Sequence, residues 1–246
     1  MSTATFGDAP VLACVEVGGG GVETVVLGGP EPVVTDGATP PYGVPLLMAV
    51  PGVIAGGRVV AASNLGWFDV DPAERLGLGR TAVVLCNDAE AAALGEAALR
   101  GARGLADLTY VGLGTGVGGA VVRDGVAVGA NLFGHARTFG DAACRCGGAG
   151  CLETVAAGWA LPEPVPAGAL ARAAAAVAAA IAAEPLAGPL VVVGGGLARR
   201  HPEVVALVAA ALPDRTVEPS AAPDTVKSAA AWGLAHLWAS VEGAVA

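Results

Sequence analysis

The chain has 246 residues, of which 54% are hydrophobic, only 4% are aromatic and 14% are charged, and its formal net charge is −9 at pH 7. This length allows one large domain or two modest ones, with a core built mainly from alanine, valine and leucine. The acidic balance argues against a nucleic-acid partner bound through a basic surface. Because no run of about 18 apolar residues and no export signal occur, we expect a protein that neither enters a membrane nor is exported.

The first half of the chain predicts short strands that end in turns. In chain order, the predicted elements are strands at residues 11–17, 22–27, 46–50, 58–62 and 81–86 and a helix at 89–100. The four glycines at 18–21 join the first two strands as a hairpin turn. Asn87 and Asp88 stand between the fifth strand and the alanine-rich helix.

The second half continues the alternation of strands and helices. Its predicted elements are strands at residues 108–113, 120–123 and 190–193, a helix that starts near Leu152, and helices at 167–184 and 225–240. Asp124-Gly125 is a strong hairpin signal. Together the two halves predict an α/β fold whose ligand site lies at the carboxyl ends of strands.

A cluster of cysteines predicts a metal site. Cys144, Cys146 and Cys151 lie within eight residues, and His135 lies nine residues before the first of them. Thiolates and imidazole are ligands that zinc prefers, and four protein ligands are typical of a structural site. The alternative is three ordinary thiols in a flexible loop, but a polar, glycine-rich segment offers thiols no core to join. Grouped thiols of this kind also favour the cytoplasm over a disulfide framework.

Three glycine turns follow predicted strands, at residues 18–21, 114–119 and 194–196. Backbone N–H groups in such turns can approach phosphate oxygens closely. A single turn of this kind is most often only a tight turn, whereas three suggest a nucleotide held between two lobes. None matches the P-loop or a dinucleotide fingerprint.

Asp88 is the candidate catalytic group. It follows a strand and opens a helix, so its carboxylate could accept a proton from a hydroxyl that attacks a γ-phosphate. The alternative is that Asp88 only caps the helix, a role that aspartate fills well. Spacing alone leaves both roles open.

Three segments carry a resemblance to a known family: residues 87–96, residues 114–119 and the cysteine cluster with the following Leu152-Glu153. In these segments, and in residues 51–52, 64–67 and 191–196, the chain resembles the ROK family of repressors, open reading frames and sugar kinases. The resemblance implies the two-lobed actin-like ATPase (ribonuclease H-like) α/β fold with a zinc-bearing loop. The implied lobes are residues 1–107, joined by a C-terminal helix at 225–246, and residues 108–224, which carry the zinc.

The resemblance also implies an activity, namely phosphorylation of a hydroxyl of a hexose or sugar-like molecule by ATP with Mg²⁺, in a protein that is often a homodimer. Asp88 matches the general base. The residues implied to contact the sugar are Asn64, Asn87, Asp88, His135 and Glu153. Those implied to contact the nucleotide are Gly18, Gly19, Gly114, Thr115, Gly116, Gly194 and Gly195. The implied zinc ligands are His135, Cys144, Cys146 and Cys151, and the metal would fix the imidazole that meets the sugar.

The chain departs from the family pattern at three places. The first phosphate motif, usually Asp-x-Gly-Gly-Thr-Lys, is Glu16-Val17 followed by four glycines, so both of its polar side chains are missing. A sugar-binding glutamate that usually stands three residues before the histidine is replaced by Leu132. The chain is also shorter than usual, with the losses expected after Leu27 and after Glu153.

These departures keep alternatives to a kinase open. One is a catalytically idle or repurposed scaffold that binds a ligand or a partner, and another is an enzyme of a different reaction class built on the same pocket. The repressor branch is not expected, because its DNA-binding module precedes the first phosphate strand, which here begins at about residue 11.

Overall fold

The computed structural model describes residues 5–6, 9–101, 106–129 and 133–245. Its strands are β1 (Thr5–Phe6), β2 (Ala9–Pro10), β3 (Leu12–Gly18), β4 (Gly21–Leu27), β5 (Val33–Asp36), β6 (Leu46–Val50), β7 (Val53–Ala55), β8 (Arg58–Ala62), β9 (Trp67–Val70), β10 (Val84–Asn87), β11 (Leu108–Leu113), β12 (Val117–Arg123), β13 (Val126–Val128), β14 (Leu190–Gly194) and β15 (Thr216–Pro219). Its α-helices are α1 (Pro72–Arg75), α2 (Asp88–Arg100), α3 (Glu153–Ala156), α4 (Ala167–Ala183), α5 (Gly195–Arg200), α6 (Glu203–Ala211) and α7 (Ala230–Val245). Leu132 lies outside the described residues, so its expected effect on sugar binding stays a prediction.

Two five-stranded mixed sheets form the framework. The order of the first is β10-β6-β3-β4-β5, and that of the second is β13-β12-β11-β14-β15. In each sheet a central hairpin, β3–β4 or β11–β12, lies beside a parallel neighbour, β6 or β14. The first sheet uses residues 12–87 and the second uses residues 108–219, and the lobe boundary near residue 107 stays a prediction. The predicted α/β class is confirmed.

Helices α2 and α7 pack against each other between the two sheets. Helix α7 contacts β3, β6 and β10 of the first sheet, while α2 contacts β11 and β12 of the second. The helices approach so closely that a Cβ atom on Gly95 would clash with the Ala229 carbonyl group, and one on Gly233 would clash with the Ala91 carbonyl group. Glycine allows this because it presents no side chain to the neighbouring backbone. The crossing fixes the first residues of α2 relative to the segment that leads into α7.

Most predicted elements lie where the sequence placed them, but the last helix does not. It was expected from residue 225, whereas α7 begins at Ala230. The Ser228 hydroxyl accepts a hydrogen bond from the Ala230 amide at 3.0 Å and so caps the helix. The residues before it form a turn, in which the Val226 amide donates to the Pro223 carbonyl. Lys227 and Ser228, which precede the helix, line the cleft described below.

Several elements were not predicted, among them α5, α6 and β15. Pro202 separates α5 from α6, and the short apolar runs on either side of it are too short for their periodicity to identify helices. Residues 28–45 contain the short strand β5 and no helix, in agreement with the expected shortening after Leu27. No helix of the described residues is long and apolar enough to cross a membrane.

The α2–α7 crossing gives a stability prediction. Glycine-to-alanine changes inside helices normally stabilise by about 0.5–1 kcal/mol. Gly95→Ala should instead lower the free energy of unfolding by roughly 3 kcal/mol, since the new methyl group pushes the backbones apart. Gly188→Ala is the control, because nothing lies within 4 Å of its added Cβ. Urea unfolding followed by circular dichroism compares the two, and equal stability of both variants would contradict the close crossing.

Candidate functional site

A cleft of about 660 Å³ opens beside the carboxyl ends of β3 and β11. Most of the sequence-predicted substrate and nucleotide residues line it: Gly18, Gly19, Asn64, Asp88, Gly114, Thr115, Gly116, His135, Glu153 and Gly195. Two do not. Gly194 is buried as the last residue of β14, and Asn87 is buried beneath the start of α2. The tertiary structure thus brings together residues that lie far apart in the sequence.

Asn87 ties the start of α2 to a neighbouring turn. Its side-chain oxygen accepts hydrogen bonds from the amides of Ala89 and Glu90, at 3.0 and 3.1 Å. Its side-chain amide donates to the Gly52 carbonyl at 3.0 Å. Asn87 is therefore the N-cap of α2, so the capping role considered for Asp88 falls to its neighbour.

Asp88 is the first residue of α2, and its half-buried side chain faces the cleft. Burial raises the pKa of its carboxyl group to about 6. Hydrogen bonds from backbone amides oppose this rise, and the negative charge of Glu153 adds to it. Such a group is ionised at neutral pH but is a stronger base than an exposed aspartate, which suits it to accept a proton from a hydroxyl.

Glu153 joins three parts of the site from a buried position. Its Oε1 atom accepts a hydrogen bond from the Val117 amide at 2.9 Å and one from the Asn64 side chain at 3.5 Å. The Cys144 thiol lies 4.0 Å from its Oε2 atom. Glu153 thus connects the second glycine turn with Asn64 and with the cysteine loop.

The glycine turns at 18–21 and 114–116 abut each other in the wall of the cleft. A Cβ atom on Gly19 would lie 2.8 Å from Cγ2 of Thr115, so only glycine fits against this side chain. The second turn is held by the Gly158 amide, which donates to the Gly114 carbonyl at 2.8 Å. The two turns therefore form one continuous stretch of the cleft wall.

Several cleft residues were missed as site residues by the sequence reasoning: Trp159, Arg199, Arg200, Lys227 and Ser228. The sequence did set one of these residues apart, because Lys227 is its single lysine. Glu16, noted above only as a departure, also lines the cleft. Burial raises the pKa of Glu16 to about 7, and the hydrogen bond from the Ser228 hydroxyl opposes this rise.

Two buried polar atoms of cleft residues, Asn64 Oδ1 and Trp159 Nε1, have no hydrogen-bond partner among the described residues. Buried polar atoms in native proteins are nearly always paired. Desolvation without a partner costs about 1–3 kcal/mol, which a bound ligand with hydroxyl or phosphate oxygens could recover. These atoms therefore favour a polar ligand in the cleft.

The predicted metal ligands converge on one point. The ligand atoms of His135, Cys144, Cys146 and Cys151 all lie within 4.8 Å of one another. The sulfurs of Cys146 and Cys151 are 3.7 Å apart, and Cys144 Sγ is 3.9 Å from His135 Nδ1. Sulfur atoms bound tetrahedrally to zinc at ~2.3 Å lie roughly 3.8 Å apart, so both the donor set and its spacing fit zinc. His135 also lines the cleft, which places this group at the edge of the candidate ligand site.

Sequence comparison assigns the chain to one protein family. A sequence profile of the ROK family matches residues 42–167. Kanosamine kinase of Amycolatopsis mediterranei is 34% identical over 234 residues, which cover 81% of this chain and 75% of the relative. A putative xylose repressor of Caldicellulosiruptor is 40% identical over 124 residues, which cover 46% of this chain and 31% of the relative. The chain thus spans about a third of that repressor.

The fold has solved counterparts. The structure of a ROK family glucokinase from Streptomyces griseus, in complex with glucose and AMPPNP, superposes with a TM-score of 0.71. The match covers 92% of this chain and 98% of the glucokinase, at 20% sequence identity. At that identity the likeness speaks for the fold, and it confirms the expected actin-like ATPase architecture.

The cysteine cluster gives a metal prediction. Protein purified without chelators should contain about one zinc per chain, because four ligands of the right type converge. Cys146→Ser should lose most of the zinc and lower the melting temperature, whereas Cys86→Ala, which alters a buried thiol outside the cluster, should retain the metal. Elemental analysis with thermal unfolding measures both. Zinc-free protein in which all three cluster thiols react freely would refute the site.

Proposed function

Because this chain belongs to the ROK family, we propose that it transfers the γ-phosphoryl group of ATP to a hydroxyl group of a hexose or a sugar-like small molecule. The observation that carries this proposal is the carboxylate of Asp88, which faces a cleft walled by two abutting glycine turns. A relative that aligns over most of the chain is a kanosamine kinase, which is consistent with a sugar substrate.

Asp88 would accept the proton of the attacking hydroxyl while the turns at Gly18-Gly19 and 114–116 hold the phosphates through backbone N–H groups. Gly195 would lie beside the adenosine, with the buried Gly194 directly behind it. Mg²⁺, when bound, neutralises charge on the phosphates, and the carboxylates of Glu16 and Asp88 are ligands of the type it takes. The chain's own contribution is mainly positioning, which is what phosphoryl transfer requires.

The sugar would lie against Asn64, His135 and Glu153, with Asn87 holding the start of α2 in place. The unpaired Asn64 Oδ1 is an acceptor for a sugar hydroxyl. Zinc in the cysteine cluster would be structural and would fix the loop that presents His135. A homodimer in the cytoplasm remains part of the proposal, by analogy with the family.

A second candidate is a scaffold that binds a ligand without turnover. It is favoured by the glycines at 18–21, which offer no side chain to phosphate, and by the similarity to a putative xylose repressor. Transfer of phosphate from ATP to a panel of hexoses, amino sugars, N-acetyl sugars and cyclitols separates the two candidates. Measurable binding of ATP or sugar without transfer to any of them would favour the scaffold.

The role of Asp88 predicts a sharp loss of activity in one variant. Asp88→Asn should lower the rate of phosphoryl transfer by about 100-fold or more, since the proton acceptor is removed while the size of the side chain is kept. ATP affinity, measured by calorimetry, should stay within about threefold. Glu90→Gln serves as the matched control, because it removes a nearby carboxylate that does not line the cleft. Undiminished transfer by Asp88→Asn would remove Asp88 from the mechanism.

The same carboxylate predicts the pH dependence. Burial raises the pKa of Asp88 to about 6. Above that pH the carboxylate is ionised and can accept a proton, and as the pH falls it becomes protonated and cannot. The value of kcat/KM should therefore drop below about pH 6, approaching tenfold per pH unit. A profile measured from pH 4.5 to 8 in buffers of constant ionic strength tests this. A rate that stays constant down to pH 4.5 would contradict the assignment.

A further inference from the structure

The chain's single lysine lies beside the first glycine turn. Lys227 belongs to the segment between β15 and α7, and it lines the cleft. A Cβ atom built on Gly21 would lie 3.7 Å from the Lys227 ammonium nitrogen. Among the residues that the structure describes, this ammonium group has no hydrogen bond and no carboxylate within 4.0 Å. This cation is therefore held at the turn with neither a hydrogen bond nor an ion pair to a described residue.

The backbone around Lys227 is fixed by hydrogen bonds to the first sheet and to helix α5. The Lys227 amide donates to Glu23 Oε1 at 2.9 Å, and the Ser228 hydroxyl donates to Glu16 Oε2 at 2.8 Å. Glu16 and Glu23 face each other across the β3–β4 hairpin. From the other side, Arg199 of α5 donates to the Lys227 carbonyl at 3.0 Å. These bonds leave the side chain as the part of Lys227 that can meet a ligand.

The first glycine turn needs a positive charge from elsewhere. Residues 18–21 offer phosphate only backbone N–H groups, and the carboxylates of Glu16 and Asp88 add negative charge to the same cleft. A polyphosphate brought to this wall would be repelled by both carboxylates.

We propose that Lys227 is the phosphate-binding cation of the first glycine turn, and that its ammonium group contacts the terminal phosphates of the bound nucleotide. A lysine from the segment before α7 thereby fills the place that the turn leaves empty at Gly21. This inference rests on the proposed function, which supplies the nucleotide.

Nucleotide binding tests the proposal directly. Lys227→Met should weaken the binding of ATP by about 10- to 100-fold, the effect of losing one charge-assisted hydrogen bond, and should leave the binding of AMP within about twofold. Lys227→Arg should recover at least part of the lost affinity. Arg172→Ala removes an exposed cation that does not line the cleft and should bind ATP as the unchanged protein does. A structural role for Lys227 would instead weaken ATP and AMP binding equally.

The unchanged protein offers a second measurement that does not depend on a folded variant. The only side-chain amine that reductive methylation can modify in this sequence is that of Lys227. Peptide mass mapping distinguishes its methylation from that of the terminal amine. Saturating ATP should slow methylation of Lys227 by about tenfold or more, and saturating AMP should not. Equal methylation rates with and without ATP, or unaltered ATP affinity in Lys227→Met, would overturn the proposal. Absence of transfer to every sugar would count against the proposed function alone, because the binding measurements still decide the role of Lys227.

Discussion

The structure depends on the backbone contact between α2 and α7. Gly95 and Gly233 let two helices from distant parts of the chain touch at their main chains, in the layer between the two sheets. Helix α2 begins with Asp88, and α7 follows directly on the segment that holds Lys227 and Ser228. The crossing therefore fixes the distance between the proposed base and the proposed phosphate-binding cation. A larger side chain at either glycine would alter both the packing of the sheets and the shape of the cleft.

A second constraint links the cysteine cluster to the cleft. Glu153 follows the last cysteine by two residues, yet its carboxylate accepts a hydrogen bond from the Val117 amide beside the second glycine turn. Leu152 and Glu153 also bond through their amides to the carbonyls of Ala136 and Gly134, on either side of His135. A metal held by the cluster would thus stiffen the loop that carries His135 and one wall of the ligand site. In this way a metal in the cluster would act on the ligand site without contacting the ligand.

The cleft carries charges of both signs. Three carboxyl groups of the cleft are partly or fully buried, those of Asp88, Glu16 and Glu153, and burial raises the pKa of the first two. Arg199 and Lys227 come from α5 and from the segment before α7, beside the glycine turns. The carboxylates can hydrogen-bond to hydroxyl groups, and the two cations can pair with anionic groups. Both kinds of group occur in the sugar and the nucleotide proposed above.

Much of the fold and part of the site could be predicted from the sequence, because the signals are local. The hairpin at 18–21, the helix that follows Asn87, and the cysteine cluster with His135 are each set by residues within about one turn or one loop of each other. The role of Asn87 as the cap, with Asp88 left to face the cleft, depended on side-chain geometry that spacing could not distinguish. The start of α7 was misplaced because Asp224 and Thr225, just before Ser228, are equally good cap residues by type.

The sequence by itself determined the α/β class, the candidate set of metal ligands and the carboxylate at the start of α2, since these follow from residue types at short spacing. Only the tertiary structure decided what surrounds the first glycine turn. Glu16 and Ser228 are 212 residues apart in the chain, and a hydrogen bond between their side chains places Lys227 beside Gly21. No local pattern encodes such a contact, because it arises from the packing of α7 against the first sheet and of α2 against the second.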